Sequence, residues 1–357
     1  MQNISIKKLT YLLSLLLIPV ALISGLHGGL LRLNISVHWL PQAAAFHALL
    51  LIGGFLGSLI TLERSFNSSW RWLSALNAFS IPLLLINQPT YAVGINAISG
   101  ALLSMQLFTH YRQHGTVVQL WMATASLLWL GGSLIYLLGG NVAAAVPWWI
   151  AFLLITIVAE RLELSKFLPT SKKAKNWLNR LLSVYVFSLL VPFHSLGSML
   201  QAVLAILIAG WLLRYDMAHR SIRRPGQFRY IGIGLMTGYL WLGCFGTSIL
   251  LSNGFEGFYE FILHSFFLGF VFSMIWAHAP VLLPSILGYK VQLYYPPLIA
   301  TWLLFQISLI GRLYAIVAEQ DQLRRWMGLM NASALFLFFL TIALTMVVSR
   351  QRKQACK

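Results

Sequence analysis

About twelve apolar runs, bounded by charged residues, Pro or Asn, divide the chain: 9–31, 43–62, 72–88, 91–110, 117–138 and 142–160, then 180–193, 195–213, 229–251, 259–287, 293–316 and 326–349. An α-helix rises about 1.5 Å per residue and the hydrocarbon core of a bilayer is about 30 Å thick, so runs of this length predict transmembrane helices. The pattern predicts an all-α polytopic membrane protein with a single transmembrane domain over 1–357, the seventh run carrying the weakest signal. Lys7 and Lys8 ahead of the first run resemble the start of a signal peptide. No convincing small-residue cleavage site follows directly and eleven more runs do, so the first run reads as a retained helix.

Charge placement gives the helices a direction. With the N-terminus inside, the inner segments hold Lys7, Lys8, Arg64, Arg71, Arg112, the cluster from Arg161 to Arg180, the cluster from Arg214 to Arg229, Lys290 and the tail from Arg350 onward. Of 25 basic residues, only Arg32, Arg312, Arg324 and Arg325 fall outside. One miscounted span would scramble this alternation, so it predicts twelve helices with both termini cytoplasmic.

Composition agrees: 59% of residues are hydrophobic and 9% charged, against about one quarter charged in soluble domains. The mean hydropathy is +0.77. A net charge of +17 would suggest nucleic acid in a soluble chain, but here the basic residues sit between apolar runs. The expected partner is the lipid bilayer, with no nucleic acid. The loops 161–180 and 214–229 read as topology-setting, with anionic lipid or a protein partner as the other use. Cys244 lies in a span and Cys356 in the tail, too far apart to pair. With no P-loop and no long hydrophilic segment, any chemistry must lie among the helices.

Ionisable groups within the hydrocarbon are costly, so each marks a functional candidate. His27, His47 and His264 each lie four or five residues from the outer end of their spans, roughly 6–8 Å below the boundary at 1.5 Å per residue. His278, fourteen residues beyond His264, is about 40° away on the same face and roughly 21 Å deeper. His38, His110, His114, His194 and His219 fall at loops or span ends, where solvation is easy.

Neutral imidazoles on separate helices can supply axial ligands to haem iron. His47 and His264 suit this role, because helices 2 and 10 run the same way and open alike, with Phe46-His47-Ala48 then Leu51, and Leu263-His264-Ser265 then Leu268. A hydrogen-bonded packing role is the other reading of either histidine. Gly54 and Ser58 lie below His47 on its face, and Gly53 and Gly57 form a GxxxG spacing beside them. These small residues admit a flat porphyrin or allow close helix packing.

A His early in helix 2 and another early in helix 10 resemble the low-spin haem ligands of haem–copper oxidase subunit I. The chain is more similar still to the haem-containing NnrS family, twelve-span bacterial proteins linked to nitric oxide stress and anaerobic respiration. HALLLIGGFLGSLITLER from His47 and HSFFLGFVFSMIWAHAPVLLP from His264 carry the likeness. It implies a haem–copper-oxidase-like bundle holding haem b between His47 and His264. The oxidase pattern also has a His with a Tyr four residues later on helix 6 and a His pair on helix 7, which hold copper. Here helix 6 reads PWWIAFLLITIVAE and helix 7 LLSVYVFSLLVPF, both without His, and no second His follows His264 at the next position but one. A copper site for oxygen reduction is therefore not expected.

Other constellations stand beside this one. Glu256, Glu260 and His264 follow an i, i+4, i+8 spacing and share a helix face. With His27 or His38 they could hold a divalent metal or copper; alternatively Glu260 orients His264, or the acidic stretch simply reaches the interface. His278 is a further metal-ligand candidate. Glu63-Arg64 and Glu160-Arg161 read as interfacial anchors. Arg32 is the outer cation nearest His27 and His47 in sequence and could pair with haem propionates. Trp148-Trp149, Tyr294-Tyr295 and Trp70 with Trp72 read as interface belts.

The expected function is a haem-b membrane protein for respiratory redox or nitric-oxide protection, working with a redox partner or respiratory complex. No catalytic residue is assigned. A small-solute permease is the alternative, although the similar strings lie eight helices apart instead of six. A non-enzymatic assembly or sensor subunit is the third class.

Overall fold

The computed structural model describes residues 6–35, 39–66, 68–164, 168, 170–251, 257–286, 294 and 296–355, all helix or connection with no strand among them. Two compact units divide the chain at Glu160 and Arg161. The first holds α1 (Ile6–Arg32), α2 (Ala43–Ser65), α3 (Trp72–Leu85), α4 (Pro89–His114), α5 (Val117–Gly139) and nearly all of α6 (Val142–Leu164). The second holds α7 (Lys172–Ser188), α8 (Ser198–Tyr215), α9 (Gln227–Leu250), α10 (Phe258–Pro284), α11 (Pro297–Val317) and α12 (Asp321–Ala355).

Ten of these helices are long and apolar enough to cross a membrane; Trp72–Leu85 is apolar but shorter. Helix α7 departs most from its predicted run. It begins at Lys172, where the Ser171 hydroxyl accepts the Ala174 N–H at 3.2 Å as an N-cap, and it stops at Ser188, ahead of Pro192. Its polar first half hid this start from a reading based on apolar length. Exposed leucines and phenylalanines such as Leu16, Leu138 and Phe187 present apolar surface where the backbone is satisfied within its own helix, as lipid requires. The multi-pass membrane class follows from these features.

Small residues let helices approach where lipid provides no hydrophobic drive. In the first unit, Gly25, Gly28 and Gly29 form the face of α1 that meets α2: a Cβ on Gly25 would lie 2.6 Å from Leu51 Cδ2, and one on Gly29 would lie 2.9 Å from His47 Cε1. Gly29→Val is expected to force α1 from α2 at a cost of about 1–3 kcal/mol, read as a lower unfolding midpoint in detergent. An unchanged midpoint would show that this face yields. Gly131 and Gly132 similarly admit Trp148 and Trp149, and Trp129 stacks on Phe152 at 5.1 Å. Trp149 is buried, so the predicted Trp148-Trp149 belt is instead packing between α5 and α6. Trp70 and Trp72 do stack near the surface, while Tyr294 meets Tyr230 and Tyr295 lies outside the described residues.

In the second unit, Gly234 faces Ala277 across α9 and α10, and Gly246 faces the Ala202 carbonyl of α8. Trp276 lies between Phe305 and Phe338, at 4.7 and 4.0 Å. Pro280 cannot donate to the carbonyl four residues before it, that of Trp276. The Tyr230 hydroxyl donates to that oxygen at 3.2 Å.

Candidate functional site

Among the described residues, one helix in each unit widens from α to π geometry in its middle, a feature frequent at functional sites; a further π turn, Phe193–Gly197, leads into α8. In α2 the π run is Leu50–Gly57, three residues past His47; in α10 it is Ser265–Phe272, immediately past His264. Both runs are followed directly by a fully buried serine, Ser58 and Ser273. Both serines receive a side-chain amide: Asn77 Nδ2 donates to Ser58 Oγ at 2.9 Å and Gln306 Nε2 to Ser273 Oγ at 3.2 Å. Both runs contain a glycine under an indole, Gly57 under Trp129 and Gly269 under Trp241. Only the histidine and the small residues of this duplication are readable in the sequence, because the amide and indole come from other helices.

Asn77 also donates to the Gly53 carbonyl inside the π run at 3.0 Å, and Asn96 Nδ2 donates to Asn77 Oδ1 at 2.8 Å. Removing Asn77 leaves Gly53, Ser58 and Asn96 short of partners in a dry interior. Asn77→Ala is therefore expected to destabilise by about 1–3 kcal/mol, measured by thermal unfolding of the solubilised protein.

The histidine geometry sets which nitrogen carries a lone pair. His47 Nδ1 lies 2.6 Å from the Gly25 carbonyl, His264 Nδ1 lies 2.8 Å from the Glu260 carbonyl and His278 Nδ1 lies 2.7 Å from the Met274 carbonyl. A carbonyl oxygen only accepts, so each Nδ1 donates and each neutral ring keeps its lone pair on Nε2. This is the arrangement in which a protein orients an imidazole toward a metal. His27 is buried and stacks on Trp39 with ring centroids 4.6 Å apart.

Gly54 belongs to packing: a Cβ there would meet Ala21 and Ile81 side chains at 3.3 Å, so protein fills the space a porphyrin would take beside it. Arg32 is exposed at the end of α1. Glu256 and His38 lie outside the described residues. Among the described residues, no three His, Cys, Asp or Glu side chains group to hold a metal ion.

Glu260 is engaged by cations. Its Oε1 accepts Arg312 Nε at 3.0 Å and a terminal guanidinium nitrogen at 2.7 Å, and Arg324 lies 4.0 Å from its Oε2. Arg324 also lies 3.5 Å from the exposed carboxylate of Asp321. Two guanidiniums thus flank one part-buried carboxylate, and with Asp321 beside Arg324 the four side chains balance in charge next to His264. An arginine inside a predicted span, facing an acid in another, is the signal that identifies this pair.

The two predicted anchors are also engaged by partners within their own units. Arg64 pairs with Glu160, joining α2 to α6, and with Glu63 at 3.3 Å. Arg161 is buried and hydrogen-bonds the Tyr239 hydroxyl, which donates to Asp216 Oδ1 at 2.9 Å. His278 lies within electrostatic reach of Arg161. Asp216 and Tyr239 were not singled out from the sequence. The signal was the lone acid in the basic segment 214–229.

Fold and site together define a multi-pass all-α membrane protein with a part-buried, tautomer-fixed imidazole beside a π-helical segment in each unit. The chain belongs to the family described as a domain of unknown function (DUF8744), whose model matches residues 11–348. No curated protein and no solved structure matches it.

Proposed function

We propose that the protein binds haem b through the imidazoles of His47 and His264 and serves respiratory redox chemistry or nitric-oxide protection, in the manner of the NnrS-like proteins it resembles. The observation that carries this reading is the Nδ1–H to carbonyl bond at each histidine, which leaves Nε2 as the ligating nitrogen. Bound haem would supply one-electron chemistry; the chain's own part is to orient the imidazoles and exclude water around them.

The same proposal places the protein in a bacterial inner membrane, with Trp72–Leu85 and Lys172–Ser188 completing twelve spans and both termini inside. The alternation of basic loops supports that count. A redox partner or respiratory complex would exchange electrons with it. A reduced-minus-oxidised spectrum of the purified protein should show Soret and α-bands; folded but colourless protein overturns the proposal. A permease is the second reading, favoured by the division into two units that each hold an interrupted helix. Solute flux into proteoliposomes by colourless protein would select it.

A further inference from the structure

The face of α7 that turns away from its own unit has an ordered chemistry. Lys173, Trp177, Arg180, Val184 and Phe187 recur at steps of four, three, four and three residues, so they form one stripe. All five are exposed, Trp177 at 50% and Phe187 at 68%. The neighbouring face, about 100° round the helix, buries Ala174, Leu178, Leu181, Leu182 and Tyr185. The stripe therefore borders the core and runs from basic, through Trp and Arg, to apolar.

Its length fits one leaflet. Fourteen residues separate Lys173 from Phe187, or about 21 Å, roughly the distance from headgroup level to the bilayer centre. The indole of Trp177 falls at the interfacial level such a ring prefers, and Arg180 can extend its stem over apolar surface while its head reaches the phosphates.

A second helix adds charge at the basic end. Trp211 Nε1 donates to the Ala174 carbonyl at 2.8 Å, which brings the last turn of α8, with exposed Arg214, beside the first turn of α7. Exposed Arg220, Arg223, Arg224 and Arg229 follow in the chain. Between residues 170 and 230 the one acid is Asp216; it is buried and accepts from Tyr239 and from the Ala218 N–H. No carboxylate in this segment neutralises the stripe.

We propose that Lys173, Arg180 and Arg214 hold the phosphate of an anionic phospholipid whose acyl chain lies along Val184 and Phe187. A neutral lipid lacks the charge that three cations select in a segment, 170–230, without an exposed acid. A second copy of this chain, which is strongly basic throughout, would bring like charge to the same end. Topology alone requires basic residues near this level, but not their alignment above an exposed apolar stripe.

The test uses the full chain, delipidated in a mild detergent and mixed with phosphatidylglycerol or phosphatidylcholine, with bound lipid counted by native mass spectrometry. Wild type is expected to retain phosphatidylglycerol several-fold over phosphatidylcholine. The triple variant Lys173→Gln, Arg180→Gln, Arg214→Gln should lose that preference. Arg220→Gln, Arg223→Gln, Arg224→Gln removes the same charge and should keep it. Arg180→Gln alone should lower retention several-fold, so the idea remains testable if the triple variant does not fold by circular dichroism. Equal loss in both triple variants points to diffuse charge attraction and overturns the site. So does a wild type without preference, or a dimer that only the first triple variant dissolves.

Discussion

If wild type shows the low-spin α-band that the haem proposal expects on reduction, purified His47→Ala and His264→Ala proteins should each lose it, while His278→Ala keeps it. A low-spin haem needs two strong axial ligands, so removing either imidazole suffices. Full loss of the band is thus predicted from one substitution in either unit. His278 has the same Nδ1 to carbonyl bond but lies near Arg161 at the far end of α10, so its loss should leave the spectrum intact. Glycine variants at 47 and 264 soaked with free imidazole should recover the band, because the ligand returns without its tether. Circular dichroism checks that each protein remains folded. Bands that survive both substitutions would sink the assignment.

The second large effect concerns Glu260 and Arg312. Breaking a buried pair strands a charge and costs about 3–5 kcal/mol, whereas removing both partners costs far less. Side-chain exposures of 10% for Arg312 and 24% for Glu260 admit some solvent screening, which puts the expectation at the lower end, about 3 kcal/mol. Glu260→Gln leaves Arg312 and Arg324 facing each other with no carboxylate between them. Arg312→Met leaves Glu260 with only Arg324. The double variant should unfold closer to wild type than the sum of the two single losses predicts, in thermal melts of the solubilised protein. Additive losses would mean that the two side chains act independently.

Particular residues show what could be read from the chain alone. The helices followed from apolar length, since lipid demands that each backbone segment satisfy itself; only α7, with its charged first half, began well outside its predicted run. His47 and His264 stood out because an imidazole in hydrocarbon is costly wherever its helix packs. The tautomer of His47 was not readable, because its acceptor is Gly25 on another helix. The roles of Asn77, Gln306 and Trp241 depend on partners 24, 33 and 65 positions away, and no local pattern encodes such distances. Gly54 was ambiguous in sequence and became a packing residue once Ala21 and Ile81 were seen against it.

By itself, then, the order of residues determined the all-α membrane class and the positions of the intramembrane histidines, because these depend on transfer from water to lipid and on helix periodicity. Only the tertiary structure decided that buried Arg312 and Arg161 have Glu260 and Tyr239 as partners and that part-buried Arg64 pairs with Glu160. It alone paired the π segments of α2 and α10 with a buried serine and a donated amide. The physical reason is that burial and hydrogen bonding are properties of pairs, and a sequence names one member at a time.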